Sequence, residues 1–207
     1  ENEDMYLVGT AEHSLIGMFM QQVIDHTKLP IRLCGYSMSF RREVGSHGLD
    51  EKGIFRTHQF NKVEQIVLCK PEDSEQYFHE LLQNTIDLFV SIGIPIRTLA
   101  ICSGDLGDMK HQQYDIEAWS PRKQAYIEVG SCSNLTDNQS RLLGIKARHH
   151  DGNFFVHTLN NTAIATSRAL VALLENNQLP DGRIQIPPVL QSYMGQKEFL
   201  EPGKKFL

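Results

Sequence analysis

FRREVGSHGLDEKGIFRTHQF, running from Phe40 to Phe60, is the stretch on which the fold class turns. Upstream of it, Leu29 to Phe40 alternates loosely between apolar and polar residues and predicts a strand. Downstream, Phe55 to Cys69 carries Phe55, Phe60, Val63, Ile66 and Leu68 and predicts a second. Between them, Gly45-Ser46-His47-Gly48-Leu49-Asp50-Glu51-Lys52-Gly53 mixes glycine with charge and reads as a mobile loop. Two strands joined this way make a long antiparallel hairpin. Arg41, Arg42 and Glu43 then stand at the end of one strand, and Arg56 with Thr57 at the approach to the other.

The remaining periodicities predict further strands and interspersed helices without a regular βα repeat. Glu12 to Asp25 reads as a helix on the spacing of Leu15, Met18, Phe19 and Val23, with Thr10-Ala11-Glu12 at the turn before it. Pro71 to Ile92 is the clearest helix: Glu72, Asp73 and Glu75 enrich its first turn, and Gly93 and Pro95 stop it. Strands are predicted over Arg97–Cys102, Gln113–Trp119, Tyr126–Ser131 and Phe154–Leu159, and helices over Asn138–Arg148 and Thr162–Asn177. The fold class is therefore α+β, with a mostly antiparallel sheet flanked by helices. The chain's 207 residues suit one domain, expected over residues 1–200, with 201–207 as a tail.

Composition narrows the function. The net charge of -5 argues against a protein that grips nucleic acid mainly through phosphates, so any such contact is local or made elsewhere. No run approaches the roughly 18 apolar residues of a membrane span. Cys34, Cys69, Cys102 and Cys132 contain no CxxC pair, which argues against a zinc site; buried, reduced thiols in a cytoplasmic protein are expected. The chain opens with Glu1 rather than Met, and Asp4 to Gly9 reads as the tail of a hairpin, so a piece of a longer protein is expected.

Phosphate chemistry is the first candidate for the site, yet there is no GxxxxGK[ST] loop and no GxGxxG after a strand. Arginine forks on a sheet are another way to hold phosphate, and Arg41 and Arg56 can face each other across the hairpin. Surface ion pairs are the commoner use of two such arginines. Glu43, Glu64 and Glu128 add carboxylates in or beside apolar strands, where each needs a cationic partner, a metal or a cationic ligand. Such a set fits a ligand of mixed charge, such as an amino acid with ATP and Mg²⁺. In Glu128-Val129-Gly130-Ser131 the carboxylate and hydroxyl can share a Mg²⁺ ion, although a strand entering a serine-rich turn reads the same. After Asn160-Asn161-Thr162, Arg168 falls on the early turns of a helix and can point at an anion. His149-His150-Asp151-Gly152 reads as a plain hairpin turn whose histidines point apart.

Together these segments resemble the catalytic domain of the seryl-tRNA synthetase family, a class II aminoacyl-tRNA synthetase family. The opening stretch, continued through Asn61-Lys62-Val63-Glu64, resembles its motif 2, and Thr162 to Gln178 resembles its motif 3. Thr10-Ala11-Glu12 is similar to its TAE turn, and Glu128 with Ser131-Cys132-Ser133 to its Mg²⁺ and ATP segment. The resemblance runs from about Val8 to Met194. It implies ATP-dependent activation of L-serine to seryl-adenylate, then transfer to tRNA(Ser) and also to tRNA(Sec). Among the residues it implies, Arg41 would hold the α-phosphate and Arg168 the γ-phosphate. Glu43 would read the adenine amino group, and Phe60 would stack on the base. Glu128 and Ser131 would hold Mg²⁺, with Val129, Gly130, Arg42, Arg56 and Thr57 completing the ATP site. Glu64 would pair with the serine ammonium, within a pocket that includes Thr10, Ala11, Glu12, Arg41, Asn160 and Thr162. The family's N-terminal tRNA-gripping arm and its motif 1, which builds the homodimer interface, are not found in the chain. An arm-less paralogue that loads a carrier protein, and a non-catalytic binding module, are the competing readings. The zinc-bearing branch of the family uses a cysteine ligand; the cysteines here fall outside the matching positions, so no zinc is expected in the serine pocket.

Overall fold

In chain order the computed structural model, which describes residues 7–43 and 53–203, contains α1 (Ala11–Gly17), β1 (Val23–Asp25), β2 (Ile31–Phe40), β3 (Gln59–Cys69), α2 (Ser74–Ser91), β4 (Ile96–Ala100), β5 (Gln112–Ser120) and β6 (Ala125–Asn134). There follow α3 (Asn138–Leu143), β7 (Lys146–His149), β8 (Gly152–Phe155), β9 (His157–Ala165), α4 (Thr166–Asn177), β10 (Ile184–Gln185), α5 (Pro188–Gln191) and β11 (Phe199–Leu200). The expected hairpin forms: β2 and β3 pair antiparallel from Ile31 opposite Leu68 to Phe40 opposite Gln59. It is one side of a six-stranded sheet of order β2-β3-β9-β6-β5-β4, antiparallel throughout. The loop between its strands lies at 44–52, outside the described residues, as do the first part of the expected N-terminal hairpin tail and residues 204–207. Of that tail, Val8 accepts a hydrogen bond from the Phe40 N–H at 2.9 Å without forming a strand.

The sheet is covered on both faces, which explains the unbroken apolar run Ile66-Val67-Leu68-Cys69. Val67 and Cys69 point into a core with Phe78, Leu81 and Phe89 of α2 and with Ala169 and Ala172 of α4. Ile66 and Leu68 point the other way, toward Ile16 of α1, Ile24 of β1, Ala147 of β7 and Val156. Phe78 and Phe89 are fully buried, each contributing about 2 kcal/mol relative to exposure. Among the described residues, no helix is long and apolar enough to cross a membrane.

Five elements depart from the sequence reading. The strand predicted over Phe55–Cys69 begins only at Gln59, with Gly53–Phe55 in a 3₁₀ turn. The helix predicted over Glu12–Asp25 stops at Gly17; Gln21 takes a left-handed backbone (φ 59°), and Val23–Asp25 instead pairs in parallel with Lys146–Arg148. Of its supposed apolar stripe, Met18 and Val23 are exposed, and Ile16 is the buried anchor. The helix predicted over Asn138–Arg148 ends at Leu143, because Gly144 turns left-handed (φ 69°) and releases Lys146–His149 to form β7. The strand predicted over Phe154–Leu159 divides into β8 and β9, and β9 runs on to Ala165. The last helix therefore begins at Thr166, since Asn160, Asn161 and Thr162 are taken up in sheet pairing with β3. Of the cysteines, Cys69 and Cys132 are buried, and burial pushes the Cys69 thiol up to about 12, whereas Cys34 and Cys102 are exposed. The rings of His149 and His150 do not point apart but lie 3.8 Å between centroids. His149 ends β7 and His150 begins the turn, where the strict alternation of the pleat no longer applies.

His157, at the start of β9, has a buried Nδ1 with no hydrogen-bond partner among the described residues. Burial holds its imidazole below the ordinary histidine value, with Asp137 opposing and His111 adding to the shift. The unfolded chain therefore binds this proton more tightly than the native one. Stability present at neutral pH is lost as pH falls below about 6.5, toward the lower native value. Urea unfolding midpoints measured across that range should decline with acid, and His157→Asn should flatten the slope.

Candidate active site

Two adjoining cavities open on the face of the sheet that carries Lys62 and Glu64. The first, of ≈ 190 Å³, is walled by Arg41, Glu43, Arg56, Phe60, Glu128 and Arg168, with Thr57, Val129 and Gly130 also lining it. The second, of ≈ 420 Å³, is walled by Thr10, Glu12, Glu64 and Asn160, and by the segment Gly107 to Lys110. Arg41, Lys62, Ser131 and Thr162 line both.

Two β-bulges create this shared wall. On a regular strand, residues three apart face opposite sides, so Glu128 and Ser131 would diverge. Opposite β5, however, Glu117 pairs with Glu128, Ile116 with Gly130 and Asp115 with Ser131, leaving Val129 as the extra residue. Glu128 and Ser131 thereby share one face. The same happens on β9, where Glu64 pairs with Thr162 but Val63 with Ile164, and Ala163 is extra. Thr162 and Ala165 thus both reach the first cavity.

Beneath the second cavity lies a buried ion pair. Lys62 and Glu64, two apart on β3, are 7% and 2% exposed, with Lys62 Nζ 2.6 Å from Glu64 Oε2. The hydroxyl of Thr10 donates to the same oxygen at 2.5 Å and accepts from Lys62 Nζ at 3.3 Å. It also caps α1 by accepting the Glu12 N–H. Glu12 in turn accepts a hydrogen bond from Gln139 Nε2 at 3.1 Å, and Gln139 accepts one from Thr158. On the opposite face of the sheet, Asn161 is fully buried; its side chain accepts from Gln65 and Thr85 and donates to the carbonyl of Ser131 at 3.1 Å. Every strand that contributes to the cavities is thus tied to its neighbour by a side-chain bond as well as by the ladder.

In the first cavity, Arg56 Nη1 meets Glu43 Oε2 at 2.7 Å, where Glu43 adopts a left-handed backbone (φ 51°). Arg168, on the first turn of α4, reaches Glu128 Oε2 at 2.9 Å and the Glu128 carbonyl at 3.1 Å, with its guanidinium 5.1 Å over the Phe55 ring. Thr166 anchors that turn by exchanging hydrogen bonds with the backbone of Asn61. Arg41 holds the Gly9 carbonyl at 3.3 Å and lies 5.4 Å over the Phe60 ring. Arg56 Nε and the Thr57 hydroxyl are buried without a hydrogen-bond partner among the described residues. Burial holds the Asp115 carboxyl, opposite Ser131, above the usual carboxylate range; the Gln113 amide opposes this, and the charges of Glu128 and Glu117 add to it.

Of the residues singled out in the sequence, Ala11 and Arg42 line neither cavity. Ala11 is buried under α1 above Gly35 of β2, and Arg42 is exposed. Sequence reasoning missed Lys62, Phe55, Ser167 and the Gly107–Lys110 segment. Lys62 was findable: two residues from Glu64 on a strand, it must share that residue's face. The glutamate and serine oxygens on one face of β6 are donors of the kind Mg²⁺ accepts alongside phosphate, so the residues present fit that ion.

Comparison with known proteins places this geometry. The tRNA synthetase class II core domain (G, H, P, S and T) matches residues 1–177. A serine--tRNA ligase of Thermoplasma volcanium is 54% identical over 195 residues, covering 94% of this chain and 44% of that protein. Among solved structures, seryl-tRNA synthetase from Pyrococcus horikoshii complexed with ATP superposes with a TM-score of 0.93 at 48% identity, covering 99% of this chain and 46% of that one. The cytoplasmic serine-tRNA ligase of Naegleria fowleri in complex with AMP superposes at 0.90 with 42% identity, over 99% and 48% of the two chains. The chain spans about half the length of the curated relatives it matches.

Two substitutions test the construction. Lys62→Met strands a buried carboxylate and should cost about 3 kcal/mol or more in urea unfolding, while Lys62→Met with Glu64→Leu should recover most of that loss. A Cβ at Gly130 would stand 2.9 Å from the Thr162 carbonyl oxygen, which is backbone and cannot swing away. Gly130→Ala should therefore push β6 from β9 and lower stability by about 1–3 kcal/mol in the same assay.

Proposed function

The chain belongs to the class II tRNA synthetase core-domain family, and from that premise we propose that it activates L-serine with ATP and passes the seryl group to tRNA(Ser), and also to tRNA(Sec), within a longer protein. The observation that carries this reading is the wall common to the two cavities, Arg41, Lys62, Ser131 and Thr162. A nucleotide in the first cavity and an amino acid in the second would meet there. The ATP and AMP complexes of the two similar structures support a nucleotide as the first ligand.

In this reading the adenine lies on Phe60, with Glu43 accepting from its amino group. Arg41 holds the α-phosphate and Arg168 the γ-phosphate, while Arg56 and Thr57 offer buried donors in the same cavity. Mg²⁺, held by Glu128 and Ser131, would supply positive charge to the phosphate oxygens. Glu64 takes the serine ammonium, and Asn160, Thr162, Thr10 and Glu12 surround the rest of the amino acid. A serine carboxylate oxygen then bonds to the α-phosphorus, the bond to the β-phosphate oxygen breaks, and pyrophosphate leaves. The protein donates no covalent group; it positions the nucleophile and places cations where charge develops. Alanine and glycine would leave buried polar atoms of the second cavity unpaired, which is how a site of this kind rejects substrates lacking a hydroxyl.

The names of the similar proteins favour tRNA over a carrier protein as acceptor. A homodimer and a cytoplasmic location are part of the same proposal. Serine-dependent exchange of pyrophosphate into ATP tests the activation step. Exchange should occur with serine and not with threonine, alanine or glycine, and Arg41→Ala should lower it by at least about 100-fold, the effect of removing one donor from a developing oxyanion. A folded protein that binds no seryl-adenylate analogue and supports no exchange would overturn the reading.

A further inference from the structure

Outside the two cavities, one cluster of side chains has donor chemistry that serine activation does not use. At the turn between β7 and β8, Asp151 Oδ2 lies 3.4 Å from His149 Nδ1 and 3.1 Å from His150 Nε2. One donor atom from each of the three residues falls within 4.8 Å of the others. A tetrahedral ion with bonds of about 2.0–2.1 Å spaces its donor atoms about 3.3 Å apart, so both nitrogen–oxygen separations match an edge of that tetrahedron. His149 Nδ1 accepts the backbone N–H of Asp151 at 3.3 Å, a long hydrogen bond that the ion would replace at that lone pair.

The surroundings restrain the His149 end of this arrangement. His26 packs edge-on against the His149 ring, at 4.5 Å between centroids and 78° between planes. Its Nδ1 lies 3.0 Å from the Arg148 carbonyl, which can only accept, so Nδ1 donates there. His26, His149 and Asp151 also border a cavity of ≈ 450 Å³ beside Lys70 and Glu72. Plain ion pairing is the alternative use of such a turn. Two imidazolium rings 3.8 Å apart would repel each other, whereas two neutral imidazoles and one carboxylate around a dication would not.

We propose that His149, His150 and Asp151 form a surface site for a divalent transition-metal ion of the zinc type. Imidazole nitrogen with a single carboxylate suits Zn²⁺, Co²⁺ or Ni²⁺ rather than Mg²⁺ or Ca²⁺. Three protein donors leave a fourth position for water.

Co²⁺ is the probe, because its visible absorption reports coordination. Chelator-stripped protein titrated with Co²⁺ in slightly alkaline buffer should give a saturable band at one equivalent, displaced by Zn²⁺. His150→Ala and Asp151→Asn should each weaken binding at least about 10-fold. Both side chains are exposed, so the variants should keep the parent's thermal unfolding midpoint and its serine-dependent exchange. No saturable band, or a band that both variants retain, would overturn the site.

Discussion

A lysine and a glutamate buried side by side on one strand are the constraint around which this site is built. Lys62 and Glu64 lie almost wholly out of water, and neither could stay charged there alone. Together, with the Thr10 hydroxyl on the shared oxygen, they form a closed polar unit. That unit fixes three things at once. It pins the start of α1 to β3 through Thr10, fixes which face of β3 looks into the cavities, and leaves the carboxylate held from one side. A buried ion pair is weak support for stability, since a well-packed apolar pair often does as well. Its use here is positional.

Around it, the sheet departs from regularity only where the site needs it. The extra residues Val129 and Ala163 lie on β6 and β9, the strands that bring Glu128, Ser131 and Thr162 to the cavities. Each bulge turns an out-of-phase pair, Glu128 with Ser131 and Thr162 with Ala165, into neighbours on one face. The loss of ladder regularity is offset on the far side of the sheet, where Asn161 bonds to Gln65, Thr85 and the Ser131 carbonyl. A buried amide bonded there to three partners holds β9 and β6 in register while the near face carries side chains of mixed charge.

The sequence was legible where one period dominated. The hairpin, α2 and the sheet class follow from simple alternation or from a long helical stripe. It was misleading where short segments carry both patterns. Leu15, Phe19 and Val23 satisfy a helical spacing, yet the chain needs Val23–Asp25 as a strand beside β7, a demand that comes from Lys146–Arg148, far away in sequence. Asn160-Asn161-Thr162 reads as polar sequence before a helix, whereas in the strand Asn161 is satisfied by a buried network and Asn160 and Thr162 face the second cavity. The cavity residues that resemblance pointed to converge in space, but Lys62 stayed hidden, because a lysine in an apolar strand reads as a solvated edge residue.

Charge balance explains how an acidic chain can gather cations in one cleft. With a net charge of -5, the protein has no general field to draw phosphate in. Its cations are instead concentrated in one cleft and held there by carboxylates: Arg56 by Glu43, Lys62 by Glu64, Arg168 by Glu128. Each pair lowers the attraction for an anion but fixes the position of a cation. Arg41 differs. Among the described residues it is held by a backbone carbonyl and an aromatic ring rather than by a carboxylate, and it stands on the wall common to both cavities. An anionic group arriving there meets a positioned guanidinium with no carboxylate to displace, which is the electrostatic condition for stabilising charge that appears only during reaction. The paired arginines can exchange their carboxylates for phosphate oxygens, and the carboxylates so released can meet a cation, at little net change in charge. Among the arginines that line the two cavities, Arg41 is the one whose charge no carboxylate of the described residues offsets.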